Sequence, residues 1–324
     1  SVATVDGPPV DLSRSPCLAR PEDQITVVPP GRYDEALKLG EIENHTVDMR
    51  GTLFLGNPPK RPISFRPTGE TCIVGPSIQG QQPRDWTWQR MKSSEDHAYD
   101  GDAIGWGGKE MRGPIRIDGA WIDNFEDGLG PPKRPGSTAG RRWSVHHVYA
   151  RHIRDDFIEN DGCIDLEVRD TLVDSTFAFI SARPGRGRST DEAERPAHTV
   201  VRDTLVHLQC MPGEFGPENC GPDLDMGQIF KWSDCGGTVD VRDTIFYVDP
   251  RDTRRLTFPD GTYDNVTIIW PAEEGARFPA KGGLPEGIEL TSDVSLWEKA
   301  RADWLRRHGC DQDGNNCTYL QRSG

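Results

Sequence analysis

One six-residue pattern recurs through the middle of this 324-residue chain and restricts its fold more than any other feature. Val168-Arg-Asp-Thr-Leu-Val returns as Val201-Arg-Asp-Thr-Leu-Val and again as Val241-Arg-Asp-Thr-Ile-Phe. Looser copies are Ile117-Asp-Gly-Ala-Trp-Ile and Val145-His-His-Val-Tyr-Ala. The starts are 28, 23, 33 and 40 residues apart, so the minimal unit is 23 residues and the longer copies carry loop insertions. Upstream, Thr46-Val-Asp-Met-Arg, Gly51-Thr-Leu-Phe-Leu, Ile63-Ser-Phe-Arg and Cys72-Ile-Val alternate apolar and polar residues and end in Gly/Pro clusters, the signature of short strands. A strand-sized unit cannot bury its apolar face alone and must stack on its neighbours. Propeller blades need about 40 residues and four strands each, longer than the shortest unit here. The repeat therefore predicts an all-β solenoid, a parallel β-helix.

Around that core the sequence divides into three. Residues 1–45 are Pro-rich and predict an extended capping segment, 46–272 the β-helix domain, and 273–324 a linker, helix and disulfide-closed tail. In the last part Ser295-Leu-Trp-Glu298 reads as a capping box, and Leu296, Ala300 and Trp304 recur at helical spacing. Arg306, Arg307 and His308 suit the negative end of that helix and Gly309 its C-cap. The helix is expected to pack on the solenoid and shield its open end. Asp311-Gln-Asp-Gly-Asn-Asn begins like a calcium loop but lacks the downstream bidentate Glu, so a disulfide-closed turn is the better reading.

Composition narrows the partners. The chain is 34% hydrophobic and 28% charged, with 35 Gly and 26 Pro, too turn-rich and polar for a helical bundle. A net charge of −14 argues against nucleic acid and against an anionic membrane surface, and no apolar run is long enough to span a bilayer. A monomer is expected. Eight cysteines without a CxxC pair argue against a zinc or thioredoxin-like role and for disulfides in an oxidising compartment. Cys310 and Cys317 bracket a short Gly/Asn-rich loop as a local pair, and Cys210, Cys220 and Cys235 could supply another. The opening Ser-Val-Ala-Thr-Val-Asp has no charged or apolar leader, as in a secreted or otherwise extracytoplasmic protein whose signal peptide has been removed. Asn44-His-Thr, Asn265-Val-Thr and Asn316-Cys-Thr fit the glycosylation pattern.

The repeats, together with Ala120-Trp-Ile-Asp-Asn-Phe-Glu-Asp-Gly, resemble the right-handed parallel β-helices of the pectate-lyase-like superfamily over roughly residues 46–272. That superfamily hosts lyases, hydrolases, epimerases and phage adhesins, so the resemblance speaks for architecture more than activity.

Chemistry is expected around Arg154-Asp155-Asp156-Phe157-Ile158-Glu159-Asn160-Asp161-Gly162, which packs four carboxylates into seven residues. Like charges this close repel and need a compensating partner. Adjacent coils lie about 4.8 Å apart. Aligning them points Leu129, Ile158, Ile180 and Phe230 inward and Glu159, Ser181 and Lys231 outward in one column. Asp127, Asp155, Asp156, Asp161 and Arg183 fall nearby. Asp127, Asp155 and Asp161 are candidate ligands for calcium, which takes six to eight oxygens. Lys231 and Arg183 are candidate bases or clamps for a substrate carboxylate. Asp156 and Glu159 are candidate acid/base groups, and Trp232, Ser181 and Asn160 candidate substrate contacts. The reaction that the resemblance implies is metal-assisted β-elimination on a uronate-containing polysaccharide. Two carboxylates about 6.5–9.5 Å apart would instead make an inverting glycoside hydrolase. The Gly-His-Gly motif of polygalacturonase-type hydrolases is absent, with Ser181-Ala-Arg183 in its place. A third reading is a non-catalytic glycan-binding or structural β-helix.

Blander readings hold elsewhere. Arg169-Asp170, Arg202-Asp203 and Arg242-Asp243 recur identically and are expected to be turn or salt-bridge ladders. His146 and His147 lack a metal-spaced partner in sequence and read as surface strand positions. Trp86, Trp88, Trp106 and Trp232 are either sugar platforms or packing residues. The charged segment 184–197 is a groove rim or a plain insertion.

Overall fold

The computed structural model describes residues 7–56, 61–93, 101–106, 113–131, 142–183, 196–210, 228–249 and 256–322. In it the repeat is a strand–corner–strand device. The leading residues Ile117, Val145, Val168, Val201, Val241 and Tyr263 are successive partners in one parallel ladder, and all point into the main core. Two residues on, Gly119, His147, Asp170, Asp203, Asp243 and Asn265 all have positive φ, between 42° and 76°. Short polar side chains and glycine tolerate this left-handed conformation best, which is why the repeat carries Asp there. The next residue is Thr in the three closest copies. Thr171, Thr204 and Thr244 each donate their hydroxyl to the carbonyl two residues back, at 2.9, 2.8 and 2.7 Å. The corner thus satisfies its own buried backbone oxygen. Beyond it Val173, Val206 and Phe246 return to the core, while Leu172, Leu205 and Ile245 face a second apolar cluster. Turns and ion pairs therefore share the Arg-Asp repeats: Arg202 and Arg242 both reach Asp240, at 3.2 and 3.1 Å.

Every strand pairing is parallel, and the expected right-handed β-helix solenoid needs correction. Strands Arg142–Glu159, Asp165–Arg169, His198–Arg202, Thr238–Val248, Leu205–Leu208 and Leu172–Ala182 close a six-membered ring of parallel pairings. The remaining strands are hydrogen-bonded outside that ring. The physical reason lies in two long strands. Arg142–Glu159, of 18 residues, and Thr238–Val248, of 11, run through the left-handed corner without a break. Each therefore pairs on both sides of it and joins ladders that a solenoid of separate short strands would keep apart.

The C-terminal helix spans Ser295–Arg307. Its start differs from a capping box: Asp293 accepts hydrogen bonds from both the backbone and the hydroxyl of Ser295. Trp297, Ala300, Trp304 and Leu305 are buried against Tyr149, Leu172, Leu205, Ile245 and Ile269. The helix thus lies along the flank of the stacked corners rather than over an open end. At the tail, Asp311 accepts from the backbones of Asp313 and Asn315 and from the Asn316 side chain, a hydrogen-bonded turn closed by Cys310–Cys317. The other described disulfides are Cys17–Cys72 and Cys163–Cys235. Cys235 is thereby separated from the cluster of three in which sequence placed it; Cys210 is also disulfide-bonded, and Cys220 lies outside the described residues. The disulfides fit an extracytoplasmic protein. No described helix is long and apolar enough to cross a membrane. All three glycosylation-pattern asparagines have positive φ; Asn265 and Asn316 donate to Asp243 and Asp311.

The corner column makes a testable demand. Burial, then Asp243 and Asp170, raise the pKa of Asp203. A raised folded-state pKa means that stability falls as pH climbs past the unfolded value of about 3.9. Asp203→Asn keeps left-handed tolerance without the charge. It is expected to raise the urea midpoint at pH 7 and to match the wild type near pH 3. Asp203→Val is expected to lose about 1–2 kcal/mol at both pH values through backbone strain.

Candidate functional site

The acidic run lies where strand Arg142–Glu159 crosses from one ladder to the next. Register against the following strand slips between Ile153 and Asp156, a bulge. Consecutive side chains on a regular strand point to opposite faces; a bulge re-aims them. Asp155 and Asp156 accordingly both reach the Lys231 ammonium, Asp156 at 2.8 Å and Asp155 in closer contact still. Arg154, by contrast, is buried under the 83–86 segment, donating to the carbonyls of Trp86, Pro83 and Arg84. Its role is to anchor the 83–86 segment.

Beyond the bulge the ladder is regular. Leu129, Ile158, Ile180 and Phe230 are successive partners in the core, and Glu159, Ser181 and Lys231 are successive partners beside them. On the preceding strand Asp127 stands next to Asp102. The Asp127 carboxylate accepts from the backbone N–H of Asp156 at 3.0 Å. Two overlapping groups result, Asp127–Asp155–Asp156 and Asp102–Asp127–Glu159, each with one oxygen per residue inside 4.8 Å of the others. Either could hold a metal ion.

Electrostatics follows from crowding in a dry site. Burial first, and then Asp155, raises Asp156 to about 7, even though Lys231 pulls the other way. Burial, followed by Glu159, Glu126, Asp155 and Asp156, raises Asp127 well above the carboxylate range. Desolvation opposes the charge on Lys231, but Asp156 and Asp155 outweigh it and raise its pKa. Lys231 is therefore a firmly held ammonium, and its expected part as a free base is corrected.

Other expectations change as well. Asn160 is fully buried, and its side chain bridges to both backbone groups of Ile164; it closes a turn and cannot meet a substrate. Ser181 is buried between Glu159 and Lys231 in the ladder. Trp232 spends its indole N–H on the Gly237 carbonyl and packs edge-on against Phe230. Arg183 is exposed, and among the described residues no ion pair joins it to the carboxylates. The Asp161 charge helps raise Asp156. Trp86 lies under the Arg90 guanidinium; the side chains of Trp88 and Trp106, and residues 184–195, lie outside what is described.

Asp102 is the residue that sequence reading missed. It is buried and ion-paired to Arg61 at 2.8 Å. A signal was present: Asp102-Ala-Ile-Gly105 matches Asp127-Gly-Leu-Gly130, and the two tetrapeptides pair in register. Both final glycines are needed, since a Cβ on Gly130 would sit 2.1 Å from the Asp102 carboxyl carbon and one on Gly105 2.6 Å from its oxygen.

Comparison of the chain with protein-family models, curated proteins and solved structures gives no match. The resemblance to the pectate-lyase-like superfamily therefore rests on the repeat and its neighbouring motif alone.

Titration tests the site without reference to any activity. Because Asp156 is raised to about 7, the native state binds a proton that the unfolded chain releases near pH 4. Stability should fall between those values and level off above. Asp156→Asn is expected to exceed the wild type by more than about 1 kcal/mol above pH 7, one pK unit being about 1.4 kcal/mol, with the gain vanishing below pH 4 in urea titrations.

Proposed function

We propose that this chain cleaves an acidic, uronate-containing polysaccharide by β-elimination at the Asp127–Asp155–Asp156–Lys231 cluster. The observation that carries this reading is the pairing of a carboxyl group raised to about 7 with a held ammonium. A proton donor needs a pKa near the working pH. An ammonium beside it supplies the positive charge that a uronate carboxylate seeks.

The chemistry follows from moving one partner. When the substrate carboxylate draws Lys231 toward itself, Asp155 and Asp156 lose their shared cation and Asp156 keeps its proton. Asp155 then takes the proton from the carbon next to the uronate carboxylate. The released electron pair forms a double bond to the neighbouring carbon, whose bond to the glycosidic oxygen breaks. Asp156 delivers its proton to that oxygen. Calcium fits the oxygen-only groups around Asp127 and, when bound, would neutralise the same substrate carboxylate.

Spacing weighs against the inverting hydrolase. The Asp127, Asp155 and Asp156 oxygens lie within 4.8 Å of one another, closer than the roughly 6.5–9.5 Å an inverting pair leaves for water. A panel of acidic and neutral polysaccharides, assayed for ultraviolet absorbance and for reducing ends with and without chelator, tests the reading. Elimination leaves an unsaturated, absorbing product. Asp156→Asn is expected to lower kcat about 10²–10⁴-fold, and Arg183→Ala to stay near wild type. Loss of activity on chelation would assign a cation to the acidic group. Reducing ends without absorbance would replace elimination by hydrolysis. Retention on a glycan without products would replace the enzyme by a binding protein.

A further inference from the structure

A second group of ligating side chains lies where the C-terminal helix meets the corner column. We propose that His147, Asp170 and His308 form a zinc site that ties this helix to the stack. One ligand atom from each lies within 4.8 Å of the other two. His147 Nδ1 is 3.1 Å from Asp170 Oδ2, and His308 Nε2 is 3.6 Å from the same oxygen. Zinc–ligand bonds of about 2.0–2.1 Å in a tetrahedron place neighbouring ligand atoms about 3.3–3.4 Å apart. The two observed separations bracket that edge.

The second observation is the state of His308. Its side chain is wholly buried. Nδ1 faces the Trp304 carbonyl at 2.8 Å. A carbonyl only accepts, so Nδ1 carries the proton and Nε2 keeps its lone pair. That Nε2 is buried, has no hydrogen-bond partner, and points toward Asp170. A buried acceptor left empty is uncommon in a folded protein and asks for an explanation. A metal supplies one. The backbone carbonyl on the far nitrogen is the usual outer partner of a metal-bound histidine.

The remaining contacts suit the same role. Arg307 grips Asp170, at 2.5 Å to Oδ1 and 3.1 Å to Oδ2, and so orients the carboxylate from outside. Asp118 lies 3.9 Å from His147 Nε2. Trp304 and Tyr319 wall the site, with the Trp304 ring stacked 3.5 Å from that of His308. His147 is about one-quarter exposed and leaves a route for the ion. Two imidazoles and one carboxylate favour zinc over calcium, whose ligands are oxygens. A solvent oxygen would complete the tetrahedron.

The test uses the full chain. Competition against a chromophoric chelator at neutral pH should find a zinc site, and cobalt in its place should give the strong visible bands of a tetrahedral nitrogen-containing site. His147→Asn retains a residue that tolerates positive φ and is expected to weaken zinc binding at least about 10-fold, as is His308→Gln. Asp156→Asn, in the distant acidic cluster, should leave the affinity unchanged. The proposal is overturned if zinc does not bind in the micromolar range, if His147→Asn binds it as tightly as wild type, or if Asp156→Asn abolishes binding. A weak octahedral cobalt spectrum would overturn it on wild-type protein alone, whether or not the variants fold.

Discussion

Register between parallel strands is the constraint on which the rest of this structure depends. In a parallel ladder each side chain stands over its counterpart on the next strand, so a residue type chosen once is repeated along a column. Valine and isoleucine columns fill the core. The same rule sets residues with positive φ over one another at the corner and brings Asp170 beside Asp203 and Asp203 beside Asp243. Stacking thereby creates like-charge columns that must be neutralised, diluted or protonated. Asp170 is neutralised: desolvation works against its charge, but the hydrogen bond from His147 and the Arg307 guanidinium outweigh it and hold its carboxyl low. Asp243 takes the amide of Asn265. Asp203 stays raised.

The acidic cluster is a second outcome of the same rule. Asp102 and Asp127 share a register position, and the bulge at Asp155 and Asp156 turns two more carboxylates toward them. With the Lys231 ammonium and the Arg61 guanidinium beside them, charge balance among the carboxylates is still incomplete. The deficit is met by holding protons on Asp127 and Asp156. A site that raises carboxyl groups toward neutral pH has acid–base capacity. The zinc proposal concerns other residues and a different donor set, so the two readings stand or fall separately.

How much could be read in advance differs from residue to residue. The copies at 168, 201 and 241 identify strands and a turn or ion-pair position at Arg-Asp, because the pattern reports a local backbone need that each copy meets in the same way. The column Glu159, Ser181 and Lys231 emerges from aligning copies, since parallel stacking preserves position. Asn160 and Trp232 are polar or amphipathic residues beside the acidic run, yet their hydrogen bonds go to Ile164 and Gly237. Nothing in local sequence announces such a partner. Likewise His147 gains Asp170 from the next corner and His308 from just past a helix, 161 positions later.

The sequence by itself determined a mostly β chain with a stacked repeat, a turn or ion-pair role for the Arg-Asp positions, the C-terminal helix and the Cys310–Cys317 pair. Each of these depends on interactions within a few residues, or on a pattern repeated often enough to reveal its neighbours. The tertiary structure alone decided the closed ring of parallel strands, the Cys163–Cys235 link and the placement of the helix along the flank. It also decided the turning of Asp155 and Asp156 onto one ammonium. Those features depend on which distant segments meet, how far a strand runs before it breaks, and where a bulge shifts its register. None of these quantities is encoded at a single site in the chain.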